Sequence, residues 1–342
     1  MIRAMAGMRP GRRLAWTAAL WLCLTPGDGA ADPVREARPL MGTVVEVTVE
    51  PAAAGHLQPA HAAIDAAYQE MQRLSDMMNH YDPKSVVSAI NAAAGAKAVR
   101  VPPELIAVLS MAAAMSERSD GAFDVTIASL RGWRFRADDP RMPSAADIAA
   151  QLPRVGWRKL RLEASARTAF LSEQGMRIDL GGIAKLPIVH AGMQVLQRHG
   201  IARAMVNGGG DVEVIGGSRA RPWRIGVRDP RAPERLLGVL DVERGFVVTS
   251  GDYERSFMRD GRRYHHILDP RTGYPAQGPR GVTLVGERLE DLNGLGVAIM
   301  VRGRDAGMRW IGAAPRADGL IVDADRSVWM TPGFRARFSA MQ

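Results

Sequence analysis

The sequence predicts an α+β fold in one large domain, and three observations carry that prediction. Apolar residues recur at helical spacing in the first half, over residues 56–79 and 103–118. The second half alternates short β-like runs with glycine-rich turns. No internal repeat, low-complexity run or Pro/Gly/Ser linker cuts the chain in two. With 342 residues, 46% of them hydrophobic, the chain can bury a sizeable core unaided.

Taken in order, residues 1–31 have the three parts of a cleaved secretory signal. Arg9, Arg12 and Arg13 precede an apolar run from Leu14 to Leu24, and small residues end the segment at Gly29-Ala30-Ala31. The run is shorter than the roughly 20 residues a transmembrane helix needs, and no later run replaces it. These features predict a periplasmic protein whose mature domain is 32–342, with no transmembrane span. Arg12-Arg13 leaves the choice between general and twin-arginine export open. The only cysteine, Cys23, lies inside the apolar run, so the mature chain would have no disulfide. Lipidation of Cys23 is disfavoured by Leu22, which stands where a lipoprotein signal has a small residue.

Leu40 to Val49 alternates as a strand of a half-buried sheet. Ile64, Tyr68, Met71, Leu74, Met77 and Met78 share related faces of the following helix and read as core. Residues 131–153, with Asp138-Asp139-Pro140 and Pro143-Ser144, read as a surface excursion. Strands are predicted near 160–171, 203–206, 212–215, 223–228, 237–242, 246–249, 264–268 and 281–285, and helices at 183–199 and 291–303.

The formal charge is +9, carried almost wholly by arginine, since the only lysines are Lys84, Lys97, Lys159 and Lys185. Such a balance suits anionic ligands. Arginines are mixed with acidic residues throughout, whereas a nucleic-acid binder concentrates its charge in a patch, so no nucleic-acid partner is expected.

Four segments can carry chemistry. Asp179-Leu180-Gly181-Gly182-Ile183-Ala184-Lys185 follows a predicted strand and opens a predicted helix, where glycines permit close approach and free N–H groups bind anions; a plain turn is the alternative. Asn207-Gly208-Gly209-Gly210-Asp211 joins two strands, as either a bulged hairpin or a backbone kept bare for a ligand. Thr249-Ser250-Gly251-Asp252-Tyr253 ends a strand, and Tyr264-His265-His266 leads into the turn Asp269-Pro270-Arg271-Thr272-Gly273-Tyr274-Pro275. Alternation on a strand would point His265 and His266 to opposite sides, so at most one enters a site there.

In this order, together with Met41-Gly42-Thr43, Tyr81 to Ser85, and Gly121 to Asp124 with Thr126, these segments resemble the FAD:protein FMN transferase (ApbE) family. The resemblance spans most of the chain after residue 31. It implies a T-fold-related arrangement of mixed sheets and packed helices, with FAD between a smaller region and the main sheets. It further implies Mg²⁺-assisted attachment of FMN, through its phosphate, to a Thr or Ser of an exported or membrane-associated flavoprotein, with release of AMP.

By position the family roles fall on His266, Lys185 and Asp252 for catalysis. Met41, Tyr81, Asp179, Gly181, Gly182, Asn207, Gly208, Gly209, Asp211, Ser250, Gly251, Arg271 and Thr272 would contact FAD. The family's metal position falls on the Ala184 carbonyl and Asn293. The chain departs from the family pattern at Leu186-Pro187-Ile188-Val189-His190, and at Asn293 and Val297, where the family has Asp and Thr as metal ligands. Asn293 and Val297, four apart in the predicted helix 291–303, would share one face. An active transferase, a degenerate FAD-binding accessory protein and an unrelated periplasmic binding module remain the alternatives.

Overall fold

The structure, a computed structural model, describes residues 32–51 and 57–341; the predicted export segment and Cys23 lie outside the described residues. Its largest element is an eight-stranded sheet, antiparallel at each pairing. The order is Val34–Leu40, Thr43–Val49, Ala204–Asn207, Asp211–Ile215, Gly245–Gly251, Gly281–Gly286, Ala317–Val322 and Val328–Met330.

Both faces of this sheet are covered. Val206, Phe246, Val248, Leu284 and Ile321 share a core with the helices Leu57–Met78, Pro103–Arg118, Lys185–Arg198 and Leu295–Arg302. On the opposite face, Met205, Val212, Val214, Val247 and Val285 pack with Trp223, Ile225 and Leu240 of a three-stranded sheet, and with Phe334 of the short helix Pro332–Ala336. Period-two alternation sends neighbouring residues of one strand into different cores. Among the described residues, no helix is long and apolar enough to cross a membrane.

Four local expectations are corrected. The run Leu40 to Val49 is not one strand but a hairpin, turning at Met41 (φ 54°) and Gly42 (φ 71°). Methionine rarely enters the left-handed region, so the alternating run conceals the turn. The stretch 131–153 is more than a surface excursion. Its helix Ala145–Gln151 starts at a capping box between Ser144 and Asp147, and the Trp133 indole N–H donates to the Gly273 carbonyl at 3.1 Å. It thereby clasps the Asp269–Pro275 turn.

Helix 291–303 is broken: Leu289–Leu292 ends at Asn293, which is extended (φ −66°, ψ 122°), and Gly294 (φ 78°) precedes Leu295–Arg302. Asn293 and Val297 therefore do not share a helical face. Gly294 sits so close to Met115 and Phe123 that a Cβ would lie 3.0–3.3 Å from them. Finally, the strand expected at 264–268 is Arg262–His265, paired with Ser256–Arg259, so His266 lies beyond its end and strand alternation does not govern it.

Candidate flavin site

The turn at Asp179 is fixed from three sides. Its backbone N–H donates to the Val125 carbonyl at 2.9 Å, and its carboxylate accepts the Gly181 N–H at 2.8 Å. His80 Nδ1 lies 3.0 Å from the same carboxylate oxygen. Burial works to raise the Asp179 pKa, but His80, the Gly181 N–H and the Arg255 guanidinium hold it below the usual carboxylate range. A Cβ at Gly182 would press to 3.3 Å from the Phe123 ring, so a larger residue there would require that ring to give way. The helix Lys185–Arg198 then begins with no side chain capping it.

Lys185 extends from the first turn of that helix to Asp211, with Nζ 3.6 Å from Oδ2. Burial raises the Asp211 pKa, and the ammonium opposes it. Between them lies the glycine loop, where Asn207 Oδ1 accepts the N–H groups of Gly209 and Gly210 at 3.0 and 3.1 Å. Gly208 closes the hairpin by donating to the Asp211 carbonyl at 2.8 Å. Gly209 (φ 77°) abuts the Thr43 side chain with no room for a Cβ, whereas Gly210 (φ 106°) faces open space. The loop is thus a hairpin connection that also bares its backbone. Met41, partly buried against the core, sits in the turn just before Thr43.

His266 completes the arrangement. Its backbone N–H donates to the Arg255 carbonyl at 3.1 Å, while its Nδ1 is buried with no hydrogen-bond partner. Its pKa is pushed down to about 3, first by burial and then by the Arg255, His265 and Lys185 charges. The imidazole is therefore neutral at pH 7, beside two fixed cations. His265 differs: its Nε2 donates to the Ala276 carbonyl at 2.9 Å and its Nδ1 accepts the Ile267 N–H at 3.3 Å, so both nitrogens are satisfied.

The remaining site candidates are placed differently. Tyr81 is 77% exposed, with its ring 3.8 Å from that of His80, forming an aromatic shelf next to Asp179. Asp252 is buried and held by Arg263 at 2.6 Å and Arg280 at 3.6 Å, which gives its carboxylate a structural occupation. Ser250 packs against Gly296, and Gly251 against the Tyr253 ring. Arg271 folds back on Asp269, and both Arg271 and Thr272 are exposed. Sequence reading assigned no role to His80, Arg255 or Thr43. The first adjoins Tyr81, the second lies two residues beyond Thr249 to Tyr253, and the third lies in Met41-Gly42-Thr43, so adjacency was the available signal.

At the position where the resemblance implies Mg²⁺, the donors do not fit that ion. Asn293 Nδ2 donates to the Ile183 carbonyl at 2.8 Å and approaches Met111 Sδ at 3.0 Å. The Ala184 carbonyl accepts the Ile188 N–H at 3.1 Å. Val297 offers methyl groups beside Gly182, and Asp291 Oδ2, buried with no hydrogen-bond partner, lies 3.7 Å from Arg288 Nε. Mg²⁺ demands an oxygen octahedron, with carboxylate help. Among the described residues, no three His, Cys, Asp or Glu side chains gather as a metal site.

Lys185 and the bare Gly210 backbone can receive phosphate oxygens, and the Arg255 guanidinium adds positive charge felt at Asp179 and His266. The exposed Tyr81 ring can stack a planar group, and the neutral His266 can accept a proton.

Comparison with known proteins shows the family. Residues 41–321 match the ApbE family. The FAD:protein FMN transferase of Treponema pallidum is 31% identical over 347 residues, covering 93% of this chain and 94% of the relative. That of Klebsiella pneumoniae is 32% identical, covering 82% and 88%. The crystal structure of the ApbE protein of Thermotoga maritima superimposes with a TM-score of 0.80 at 31% identity, covering 90% of this chain and 100% of that one. The flavin transferase ApbE of Vibrio cholerae gives 0.77 at 26% identity, covering 90% and 99%. An ordered set of motifs, a matching fold and a family match over most of the length lead to one conclusion: this chain belongs to the ApbE family.

Proposed function

We propose that the chain is an exported FAD:protein FMN transferase. In this reading the oxygen of an acceptor Thr or Ser attacks the FMN phosphorus of bound FAD. The bond from that phosphorus to the bridging oxygen breaks, AMP leaves, and FMN stays on the acceptor as a phosphoester. Lys185 and Arg255 neutralise the diphosphate, which is where charge develops in phosphoryl transfer. Tyr81 stacks a ring of FAD, and His266 takes the hydroxyl proton.

The observation that carries the reading is the buried, partnerless Nδ1 of His266 beside two cations. An anionic ligand would cancel the Lys185 and Arg255 charges that depress this imidazole and so make it a better base. Residues 1–31 support export to the periplasm, where an exported or membrane-associated flavoprotein would be the acceptor.

The second reading, a catalytically degenerate FAD-binding accessory protein, is favoured by Asn293 and Val297. The test is mass spectrometry of an exported acceptor after incubation with FAD, with AMP measured in parallel. Addition of FMN mass with release of AMP is expected. His266→Ala should slow transfer by about 100-fold or more while FAD affinity changes little, and His265→Ala should act mainly on stability. FAD binding without AMP release would establish the accessory reading instead.

A further inference from the structure

Asn293 stands in a place that its surroundings define closely. It is 4% exposed, extended between two short helices, and followed by the left-handed Gly294. Its side-chain amide faces the Ile183 carbonyl at 2.8 Å. Only the nitrogen end of an amide can face a carbonyl at that distance, since the oxygen end would repel it. The second direction of the same NH₂ is aimed at Met111 Sδ, a weak acceptor. The group is therefore a donor clamp, joining the turn Leu180 to Lys185 to the start of Leu295–Arg302.

The rest of this contact is apolar. Phe123 is wedged between the two segments: Cβ atoms built on Gly182 and on Gly294 would each lie 3.3 Å from its ring, and a Val297 methyl lies 3.7 Å from the Gly182 position. A divalent cation would instead require oxygen atoms converging from both sides. The protein supplies one amide oxygen, a methyl group and carbonyls that already accept hydrogen bonds.

We propose that the Asn293 amide takes the place of a divalent cation in this chain, setting the Asp179 to Lys185 turn and readying the flavin site without a protein-bound metal. The positive charge facing the diphosphate then comes from Lys185 and Arg255. The flavin part of this inference rests on the proposed function, whereas the clamp itself is a statement about Asn293 and the turn.

The experiment uses residues 32–342 in three measurements. Mn²⁺ titration followed by electron paramagnetic resonance should leave the free-ion signal of the flavin-free protein undiminished. Melting temperature should be the same in EDTA and in millimolar Mg²⁺ for the natural chain. For Asn293→Asp it should be several degrees lower in EDTA and partly restored by Mg²⁺, because a carboxylate facing the Ile183 carbonyl repels it until a cation intervenes. FAD affinity, read by flavin fluorescence, should differ less than about threefold between EDTA and Mg²⁺ in the natural chain. In Asn293→Asp it should be weakened about tenfold in EDTA and recover with Mg²⁺.

One-to-one Mn²⁺ binding by the flavin-free protein at micromolar concentration would overturn the proposal, as would a tenfold loss of FAD affinity in EDTA. Equal melting of Asn293→Asp and the natural chain in EDTA would also overturn it. Should the natural chain bind no FAD in either buffer, the proposed function fails, while the Mn²⁺ and melting measurements still judge the clamp. The Mn²⁺ measurement does so even if the variant does not fold.

Discussion

Along the strand Asp211–Ile215, Val212 and Val214 enter the apolar layer with Trp223 and Phe334, whereas Asp211 and Glu213 point to the helix Lys185–Arg198. The same few residues thus face two different chemistries. On the first side a continuous hydrophobic contact closes over the sheet. On the second, two polar rungs tie strand to helix: Lys185 to Asp211 at 3.6 Å, and His190 Nδ1 to the two Glu213 oxygens at 3.0 and 3.1 Å. Burial raises the Glu213 pKa, and the Glu213 carboxylate raises that of His190.

Half-buried ion pairs of this kind contribute little net stability, because desolvation and solvent screening offset their attraction. The contrast therefore assigns stability to the apolar face and placement of Lys185 to the polar one.

The hardest test of that division is Trp223→Ala. Trp223 is 1% exposed, donates its indole N–H to the Ile215 carbonyl at 2.9 Å, and carries the Arg203 guanidinium 4.3 Å from its ring centre. Denaturant unfolding should show a loss of about 3–5 kcal/mol, with FAD affinity of the remaining folded protein unchanged. Affinity that falls along with stability would mean that the two faces are not separable.

Lys185→Met sharpens the contrast from the other side. Replacing a charged donor that faces the diphosphate should weaken FAD binding by about 10- to 100-fold. Unfolding free energy should move by no more than about 1 kcal/mol, since the 3.6 Å pair is partly exposed. A stability loss rivalling that of Trp223→Ala would make the polar rung a stabilising element and refute the assignment.

The smallest effect is a pH dependence located at His266. Its folded pKa of about 3 lies below the ordinary histidine value, so the unfolded chain takes up the proton first. Its contribution to stability is complete above about pH 6.5 and is lost as pH falls from there toward 3, reaching about 2 kcal/mol at pH 5. His266→Gln should remove this portion of the acid loss, so the stability curves of variant and natural chain should converge as pH falls from 7 to 5. Parallel curves over that range would show that the imidazole is not desolvated as the structure has it.

Several elements were legible from local order alone. The helix predicted over 103–118 is found as Pro103–Arg118, because proline at its first position and the apolar spacing of Leu105, Leu109 and Ala112 depend only on near neighbours. The Asp179 to Lys185 and Asn207 to Asp211 segments were recognisable for the same reason: close backbone approach requires glycine, whatever approaches. The hairpin at Met41-Gly42 and the break at Asn293-Gly294 were not legible, since Met41 takes a positive φ without a residue that advertises it, and Gly294 follows from the proximity of Met115 and Phe123.

The sequence by itself determined the α+β class, the order of the family motifs and the glycines that a ligand-approaching backbone needs. These are properties of short windows, set by sterics and periodicity. Tertiary structure alone decided which polar groups meet. It turned Asp252 toward Arg263 and Arg280, brought His80 to Asp179, left His266 Nδ1 without a partner while satisfying His265, and aimed Asn293 at the Ile183 carbonyl. Most of these relationships join residues far apart in the chain, and electrostatic character depends on burial and neighbours in space, which residue identity and spacing do not encode.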